Sequence, residues 1–514
     1  MIKINFKLDI NDDYDLFIKN KFKNNIISYE LLRRSIDARS DVKYNYIALV
    51  KVKDESIYKN KINIEIIDYR KYSYPYNNIN TNIRPIIVGS GPSGLFCAYF
   101  LCLSGVRPII IEMGEKIEER VKTVEKFWND LKLNINSNVS FGEGGAGTFS
   151  DGKLKTSIKD RNNIIREILK IFVKFGAKED ILYDNNPHIG TDILREVIIN
   201  MRNYLMKHGC SYRFNTKLTN IFTTNNKISK IEVNNSEIIN TNLLVLAIGN
   251  SSRDTYRMLY KNNLEMEAKS FAVGFRIMHD QEMININQYG KYYKKLGAAN
   301  YKLTNNINNR GVYTFCMCPG GYVVNSSSDN NKLSINGMSY NKRDSKCSNS
   351  AVIVSITPKD FGNNPLDGIL FQEKIENVAY NMGNGKILVQ KLIDFHNNKT
   401  TTLLGSIKPL VKGDYILSNL NNIYPDFITK SIKESIKVWD NKIKGFNKDD
   451  TLLLGVETKT SSPIRMIRNN FMSNINGIFV IGEGAGYAGG ITSSAKDGIE
   501  ASIKIIEYIK KIGD

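Results

Sequence analysis

The strongest constraint on the fold is a glycine-rich turn between an apolar run at residues 84–88 and an apolar helical segment at residues 93–104. A second apolar run at residues 108–112 follows, so the pattern predicts a strand, a helix and a second strand. The glycines have the GxGxxG spacing of dinucleotide-binding β-α-β units. The first allows a tight turn, the second lets the backbone approach a pyrophosphate, and the third lets helix and strand pack closely. The helix N-terminus supplies N–H groups and positive dipole to that anion. The predicted phosphate turn comprises Gly89, Ser90, Gly91, Pro92, Ser93 and Gly94.

Glu112, at the end of the second predicted strand, strengthens this interpretation. A carboxylate at that place accepts hydrogen bonds from the ribose hydroxyls of an adenosine, and its charge disfavours a 2′-phosphate. The GxGxxG spacing alone is weak evidence, and the alternative is a turn of purely structural purpose. Strand, helix and acid together favour a dinucleotide site.

Two further stretches match the same spacing without the same context. Residues 142–147 follow too short an apolar run and lead into a polar segment, so we interpret them as a ligand-lining loop. The candidate contacts of this loop are Gly145, Ala146, Gly147 and Thr148. Residues 484–489 follow an apolar run and precede a helix, but no second strand with a ribose acid comes after them. They are therefore not expected to be an independent nucleotide site.

Residues 1–80 have a different pattern. Apolar runs at residues 2–8, 46–52 and 62–67 alternate with a helical stretch at residues 15–23, which predicts a small α+β module. A segment rich in Tyr, Asn, Ser and Pro at residues 71–82 predicts a linker to the next unit.

Composition indicates a globular chain of two or three domains, because 514 residues exceed one ordinary core and the chain is 42% hydrophobic and 24% charged. The net charge of +19 would suit nucleic acid, anionic lipid or an acidic ligand. However, the basic residues are spread along the chain without a contiguous basic and aromatic patch, which favours solvated surface. We therefore expect neither a nucleic-acid nor a membrane partner, and the oligomeric state stays open.

Cysteine usage and apolar segments indicate the compartment. Six cysteines in a chain of this length do not form the dense framework of a small secreted domain. The first residues lack an apolar signal core, and the most apolar region, residues 85–111, is interrupted by glycines, serines and prolines. We expect a cytoplasmic protein.

Two features leave their chemistry open. Cys316 and Cys318 form a C-x-C on a predicted strand, which would point both sulfurs to one face before a Pro-Gly-Gly turn. Redox use, metal binding and packing are alternatives; packing is favoured, and no metal site is predicted, because there is no C-x-x-C and no second pair at ligand spacing. His188 is the best acid–base candidate of the four histidines, since His208 lies late in an amphipathic helix and His279 and His396 lack motif partners. Its alternative is a structural hydrogen-bonding role.

Longer motifs occur through nearly the whole chain. They occupy residues 34–39, 88–95, 141–154, 187–192, 271–276, 316–321, 457–463 and 482–490. In these motifs the sequence resembles the bacterial FAD-dependent dehydrogenases of the glutathione-reductase-like flavoprotein superfamily. The resemblance implies FAD as the cofactor and a flavin-dependent oxidoreductase.

The resemblance also implies roles for residues late in each half of the nucleotide domain. In such flavoproteins a Gly-Asp or Gly-Glu near the C-terminus holds the flavin ribityl chain, here Gly482 and Glu483. The following turn and helix start, with Gly489, Gly490 and Ile491, would lie against the isoalloxazine ring. Ala247 and Gly249 would belong to the segment that closes the FAD domain, the alternative being an ordinary buried strand. Many relatives carry a second GxGxxG for NAD(P)H; none is evident here, so NAD(P)H is a candidate reductant without a motif of its own.

Together these observations predict an α/β protein. A discontinuous Rossmann-like FAD-binding domain, residues 81–254 and 456–514, carries an inserted α/β domain at residues 255–455 and a small N-terminal α+β module at residues 1–80. We expect the active site between the FAD and inserted domains. The predicted function is oxidoreduction of a small molecule through a non-covalently bound flavin. The alternatives are a flavin-dependent RNA-modifying enzyme and an FAD-binding scaffold or sensor without turnover.

Overall fold

The computed structural model describes residues 1–39, 41–160 and 162–513. The N-terminal module is a four-stranded antiparallel sheet with one helix. Its elements are β1 (Ile2–Asp9), α1 (Tyr14–Phe22), β2 (Ile26–Asp37), β3 (Lys43–Val52) and β4 (Ile64–Ile66), in the sheet order β2-β3-β1-β4. Alternate residues of β1 point inward and pack on Ile18 and Phe22 of α1. The sequence pattern predicts all of these elements except β2.

An extended segment joins this module to the next one. It has no regular secondary structure between β4 and residue 86. The ring centroid of Tyr74 lies 4.7 Å from that of Phe100, and the Tyr74 hydroxyl lies 2.7 Å from Ser502 Oγ. The predicted linker is thus fixed to the helices of the following domain by its tyrosines.

The nucleotide-binding region begins with the predicted strand, turn and helix. Its elements are β5 (Ile86–Val88), α2 (Pro92–Leu103), β6 (Ile109–Ile111), α3 (Ile117–Asp130), α4 (Ile164–Lys174), α5 (Thr191–Lys207), β7 (Ser211–Arg213), β8 (Leu218–Thr224), β9 (Lys227–Val233), β10 (Glu237–Asn240) and β11 (Leu244–Leu246). Strands β8, β9 and β10 form a separate antiparallel sheet. Strands β5, β6, β7 and β11 belong to one parallel sheet. β5 and β11 are buried throughout, as expected of a parallel sheet covered on both faces.

The chain then builds a second large sheet. This region contains α6 (Arg253–Lys261), β12 (Met266–Ala268), β13 (Phe271–Asp280), α7 (Gln281–Tyr289), β14 (Thr304–Ile307), β15 (Arg310–Cys318), β16 (Tyr322–Asn325), β17 (Ile335–Met338), β18 (Cys347–Ile356), α8 (Pro358–Phe361), α9 (Asp367–Gly383), β19 (Ile387–Lys391), α10 (Leu392–His396), β20 (Val411–Lys412), β21 (Tyr415–Leu417), α11 (Asp426–Asp440) and β22 (Leu452–Glu457). The seven-stranded order is β14-β15-β18-β13-β22-β19-β21, and β17-β16-β20 form a smaller sheet. Helix α11 packs on one side of the large sheet and shares its core.

The last residues return to the first parallel sheet. β23 (Ile464–Met466) pairs with β12, and β24 (Ile478–Val480) and α12 (Ile491–Gly513) follow. β24 lies beside β11, which completes the order β24-β11-β5-β6-β7, and α12 packs along α2. The predicted α/β fold class with a Rossmann-like domain is confirmed. Among the residues that the structure describes, no helix is both long and apolar enough to cross a membrane.

Candidate functional site

A cleft of about 360 Å³ lies where the carboxyl ends of β5 and β11 face the second sheet. Small-molecule sites commonly have volumes of roughly 300–1,000 Å³ and prefer such strand ends. Most of the predicted site residues line it: Gly89, Gly91, Pro92, Ser93, Glu112, Gly145, Ala146, Gly147, Ala247, Gly249, Glu483, Gly489, Gly490 and Ile491. Ser90, Gly94, Thr148, Gly482 and His188 do not belong to its lining.

The turn between β5 and α2 has a geometry that requires glycine. Gly89 has φ +102°, and a Cβ there would lie 2.4 Å from the Ala247 carbonyl oxygen. A Cβ at Gly94 would lie 2.0 Å from the Gly89 carbonyl oxygen, so this glycine lets α2 pack against the turn. Gly91 instead borders the cleft, where a Cβ would approach only the Gly145 Cα, at 3.9 Å. Two of the glycines thus close the turn, and one leaves room for a ligand.

Glu112 connects three loops at one end of the cleft. Its Oε2 accepts hydrogen bonds from Ser90 N at 2.9 Å and Ser90 Oγ at 2.8 Å. Its Oε1 accepts from Gly114 N at 3.1 Å and Gly142 N at 3.0 Å. Ser90 therefore lies behind the cleft surface, where it donates two hydrogen bonds to Glu112. Of these four donors, the Ser90 hydroxyl is the one that belongs to a side chain. A ribose hydroxyl that binds Glu112 would take its place as a donor.

The loop at residues 142–147 is held by a buried arginine that sequence reasoning missed. Arg120 of α3 donates to the carbonyl oxygens of Asn138 at 2.9 Å, Val139 at 3.0 Å and Gly142 at 3.1 Å. Burial lowers the pKa of Arg120 to about 9. Thr148 lies behind the same loop, where its Oγ1 donates to the Glu143 carbonyl oxygen at 3.2 Å. Since Arg120 belongs to no motif, no sequence signal identified it.

Glu483 lies at the opposite end of the cleft, after β24. Its Oε1 accepts a hydrogen bond from Asn250 Nδ2 at 3.0 Å, and burial raises its pKa to about 7. Gly482 is behind it: Gly482 N donates to Asp497 Oδ2 at 2.7 Å, and a Cβ at this residue would lie 2.4 Å from Ser93 Oγ. Gly489 and Gly490 precede α12, so its N-terminus faces the cleft.

A polar wall of the cleft was not predicted as part of the site; the second sheet contributes most of it, and the nucleotide-binding region contributes Lys153. Lys153, Cys316, Glu457 and Lys459 line the cleft. Buried Arg276 of β13 connects two residues of this wall. It donates hydrogen bonds to Glu457 Oε2 at 2.6 Å and to the Cys316 carbonyl oxygen at 2.6 Å. Burial raises the pKa of Glu457 to about 7 despite Arg276. These residues lie within the long motifs at residues 141–154, 271–276, 316–321 and 457–463, which were the available signal.

The expected geometry of the Cys316–Cys318 segment needs correction. A regular strand would place both side chains on one face, but β15 is irregular between Phe315 and Cys318, and Cys316 has φ +44°. The chain bulges there, so Cys316 lines the cleft while Cys318 is buried.

His188 lies beside the cleft without lining it. Its Nε2 is 3.1 Å from the Asn341 carbonyl oxygen, and burial, with Arg343, lowers its pKa. The neighbouring Asp151 forms two hydrogen bonds with Arg343. The structure thus gives His188 a hydrogen-bonded position in the wall behind the site, and its acid–base role stays a prediction.

The chemistry of the lining fits FAD. Added Cβ atoms at Gly249 and Gly489 would meet no heavy atom of the described residues within 4 Å, so these glycines leave open space along the cleft. Two helix N-termini, of α2 and α12, border the same cleft and would favour the negative charge of a pyrophosphate or a flavin ring. The cleft therefore suits an elongated, anionic dinucleotide.

Comparisons with known proteins agree with this architecture. Residues 270–460 match the family described as "FAD-dependent protein, C-terminal domain-like", and residues 87–143 match "NAD(P)-binding Rossmann-like domain". An uncharacterised protein of Clostridium beijerinckii is 43% identical over 98% of this chain and 98% of its own length.

The solved structures that match this chain are distant from it in sequence. Tetracycline destructase Tet(51) is 11% identical, with a TM-score of 0.36 over 84% of this chain and 83% of its own. A mutant of the halogenase PltM in complex with FAD is 10% identical, with a TM-score of 0.39 over 84% and 69%. Glycerol-3-phosphate dehydrogenase from Bacillus halodurans complexed with FAD is 10% identical, with a TM-score of 0.36 over 84% and 64%.

Proposed function

Because this chain belongs to a family of FAD-dependent proteins and has FAD as its cofactor, we propose that it is an oxidoreductase that passes electrons between FAD in the cleft and a small-molecule substrate. Bound FAD supplies the exchange of an electron pair, while the protein orients it, sets the local charge and excludes water. The observation that carries the proposal is that titratable groups of the second sheet meet the nucleotide-binding turn in one cleft.

The cofactor would lie along the cleft in one direction. The turn at residues 89–94 and the N-terminus of α2 would hold the pyrophosphate, and Glu112 would hold the adenosine ribose. Glu483 and the N-terminus of α12 would hold the flavin end. This direction leaves the wall with Lys153, Cys316 and Glu457 next to the reactive ring and the substrate.

Glu457 is the residue best suited to hold or move a proton at this wall. Its pKa of about 7 places it near the value at which a side chain can both give and take a proton at neutral pH. Arg276 fixes its Oε2, so the carboxyl has one orientation in the cleft. Lys153 adds a positive charge that would favour electron density developing nearby.

We expect Glu112→Ala to weaken FAD binding by about tenfold to a hundredfold, because hydrogen bonds to a charged acceptor contribute roughly 1.5–3 kcal/mol. Titration of the apo-protein with FAD measures this. Glu115→Ala is the matched control, since Glu115 lies on the same loop and bonds Ser137 without lining the cleft. Wild-type affinity in Glu112→Ala would place the adenosine elsewhere.

Anaerobic mixing with NADH and NADPH, followed by the loss of the absorption of oxidised flavin, tests the oxidoreductase activity. We expect at least one of the two donors to reduce the flavin. Glu457→Gln should slow the reduction on the order of a hundredfold, and its reduction rate should no longer depend on pH near neutrality. Glu434→Gln, an exposed residue of α11, should behave as the wild type. Failure of both nicotinamides and of dithiols to reduce the flavin would favour a scaffold or sensor, and salt-sensitive tRNA binding would favour the RNA-modifying alternative.

A further inference from the structure

Cys316 and Cys318 lie two residues apart on an irregular segment of β15 beside the cleft. In a regular strand their Cα atoms would be about 6.6–6.8 Å apart, at the upper limit for a disulfide. The bulge in β15 folds this segment back, so that Cys318 Sγ lies 3.3 Å from the Cys316 carbonyl oxygen. The local backbone therefore brings the Cys318 thiol back against Cys316, and of the two residues Cys316 alone lines the cleft.

The surroundings give the two thiols different character. The hydrogen bond from Cys318, together with Lys153 and Arg276 and against the effect of burial, holds the pKa of Cys316 well below its ordinary value. The same hydrogen bond, together with burial, raises the pKa of Cys318 well above it. Arg276 reaches both residues, since its Nη2 lies 2.6 Å from the Cys316 carbonyl oxygen and 3.9 Å from Cys318 Sγ. A thiolate beside a protonated thiol is the arrangement that thiol–disulfide chemistry uses.

A second cysteine pair provides a comparison within the same chain. A hydrogen bond to Cys210 lowers the pKa of Cys102 to about 7. Both residues lie in the core of the nucleotide-binding domain, and neither lines the cleft. An interaction between two thiols therefore does not by itself distinguish Cys316 and Cys318; the position of Cys316 in the cleft does.

We propose that Cys316 and Cys318 are a redox-active dithiol–disulfide pair that exchanges two electrons with FAD. The inference rests on the proposed placement of the flavin end beside this wall. In the oxidising direction a sulfur–sulfur bond forms between the Cys316 thiolate and the Cys318 sulfur, which gives up its proton, while FAD gains two electrons and that proton and becomes FADH⁻. In the reverse direction FADH⁻ reduces the disulfide to the Cys316 thiolate and the Cys318 thiol. The corresponding substrate class is a thiol or disulfide, which would exchange with Cys316, the cleft-facing sulfur.

The electron capacity of the holo-protein tests the proposal. We expect the air-oxidised wild type to take up two electron pairs per FAD in an anaerobic dithionite titration, and Cys318→Ser to take up one. Cys210→Ser, which breaks the other cysteine pair, should still take up two. Cys316→Ser provides a second variant that should also take up one electron pair. Because the Cys316 side chain is only half-buried, its replacement disturbs the core less than the replacement of Cys318 does.

Peptide masses give an independent measurement on the same samples. Trypsin should release residues 311–332 as one peptide that contains Cys316 and Cys318 and no other cysteine. In protein denatured with a thiol-blocking reagent, we expect this peptide to carry an internal disulfide in the oxidised wild type and two blocked thiols after reduction. A peptide that stays in the dithiol form while FAD is oxidised, with uptake of one electron pair, overturns the proposal. FAD content, measured first, separates the two proposals: without bound FAD both are wrong, whereas bound FAD with one electron pair overturns only the dithiol.

Discussion

At the scale of single residues, the ionisation of Glu483 makes a stability prediction. Its pKa is about 7 in the folded protein against an ordinary value of 4.5, so the folded state favours the protonated form. The wild type therefore loses stability as the pH rises from about 4.5 to 7, and the loss persists above 7. Glu483→Gln removes this loss of stability, because the glutamine side chain does not ionise. We expect the variant to be more stable than the wild type by on the order of 1–2 kcal/mol at pH 8, and by little near pH 5.

Thermal unfolding of the apo-proteins across this pH range measures the difference. Glu507→Gln, an exposed position on α12, is the control and should track the wild type at every pH. A Glu483→Gln variant whose advantage is the same at pH 5 and pH 8 would contradict a raised pKa at this residue.

The sequence predicts the residues of the site unevenly, for a physical reason. The turn at residues 89–94 and Glu112 are close in the chain, so their spacing encodes their geometry. Arg276, Cys316 and Glu457 come from three separate strands, and only the pairing of β13 with β22 and, through β18, with β15 brings them together. A motif can indicate that such residues matter, but it does not show which of them meet.

At the scale of secondary-structure elements, the contact between α2 and α12 depends on Gly498. A Cβ at this position would lie 2.2 Å from the Ser93 carbonyl oxygen and 3.1 Å from Cys97 N. We expect Gly498→Ala to destabilise the protein by about 1–3 kcal/mol, because the helices must separate. This outweighs the roughly 1 kcal/mol that alanine gains in helix propensity. FAD affinity should fall too, since Ser93 lies in the first turn of α2 and lines the cleft.

Denaturant unfolding and FAD titration measure the two effects. Gly297→Ala is the matched control, because a Cβ there meets no heavy atom within 4 Å in the part of the chain that the structure describes, and we expect it to change stability by less than about 0.5 kcal/mol. Unchanged stability of Gly498→Ala would mean that the two helices are not in close contact at this point.

Elements with a strong hydrophobic period were predicted, and β2 shows why others were not. Strands β5 and β6 and helix α2 are short, apolar and bounded by glycine turns, so their pattern is clear. β2 is 12 residues long, but only Leu31 is buried and two register shifts interrupt its pairing with β3. β2 therefore lacks the alternation of buried and exposed residues by which a strand is predicted from sequence. Its hydrogen bonds with β3 stabilise it instead.

At the scale of the whole molecule, the fold depends on contacts between segments that are distant in the chain. β24 joins the parallel sheet beside β11, more than two hundred residues after it. The long excursion from α6 to β22 forms its own seven-stranded sheet in between. The glycine turn indicates the start of the first sheet, and family resemblance indicates its end. Strand order within the second sheet has no local signal, because it is decided by packing of the assembled strands.

One buried ion pair connects α6, whose Tyr256 and Leu259 pack in the core of the parallel sheet, with α9 of the second part. Arg253 begins α6, immediately after the segment that follows β11, and Glu376 lies on α9. Both side chains are buried, and two hydrogen bonds of 2.7 Å join them. Glu376 also accepts a hydrogen bond from Thr458, next to Lys459 of the cleft wall. The pair therefore positions the second sheet against the nucleotide-binding domain at the edge of the site.

We expect Arg253→Met to destabilise the protein by about 3–5 kcal/mol, because it leaves the Glu376 carboxylate buried without a cation. The double variant Arg253→Met, Glu376→Leu should recover most of that loss, since apolar residues of similar volume replace a buried pair at little cost in stability. Denaturant unfolding of the single and double variants measures both effects, and FAD titration reports whether the cleft keeps its shape. If the ion pair is needed only for stability, the double variant should bind FAD as the wild type does. If the pair also sets the orientation of the two parts, the double variant should be stable and still bind FAD more weakly. A single variant that unfolds like the wild type would show that Arg253 and Glu376 are not paired in the folded protein.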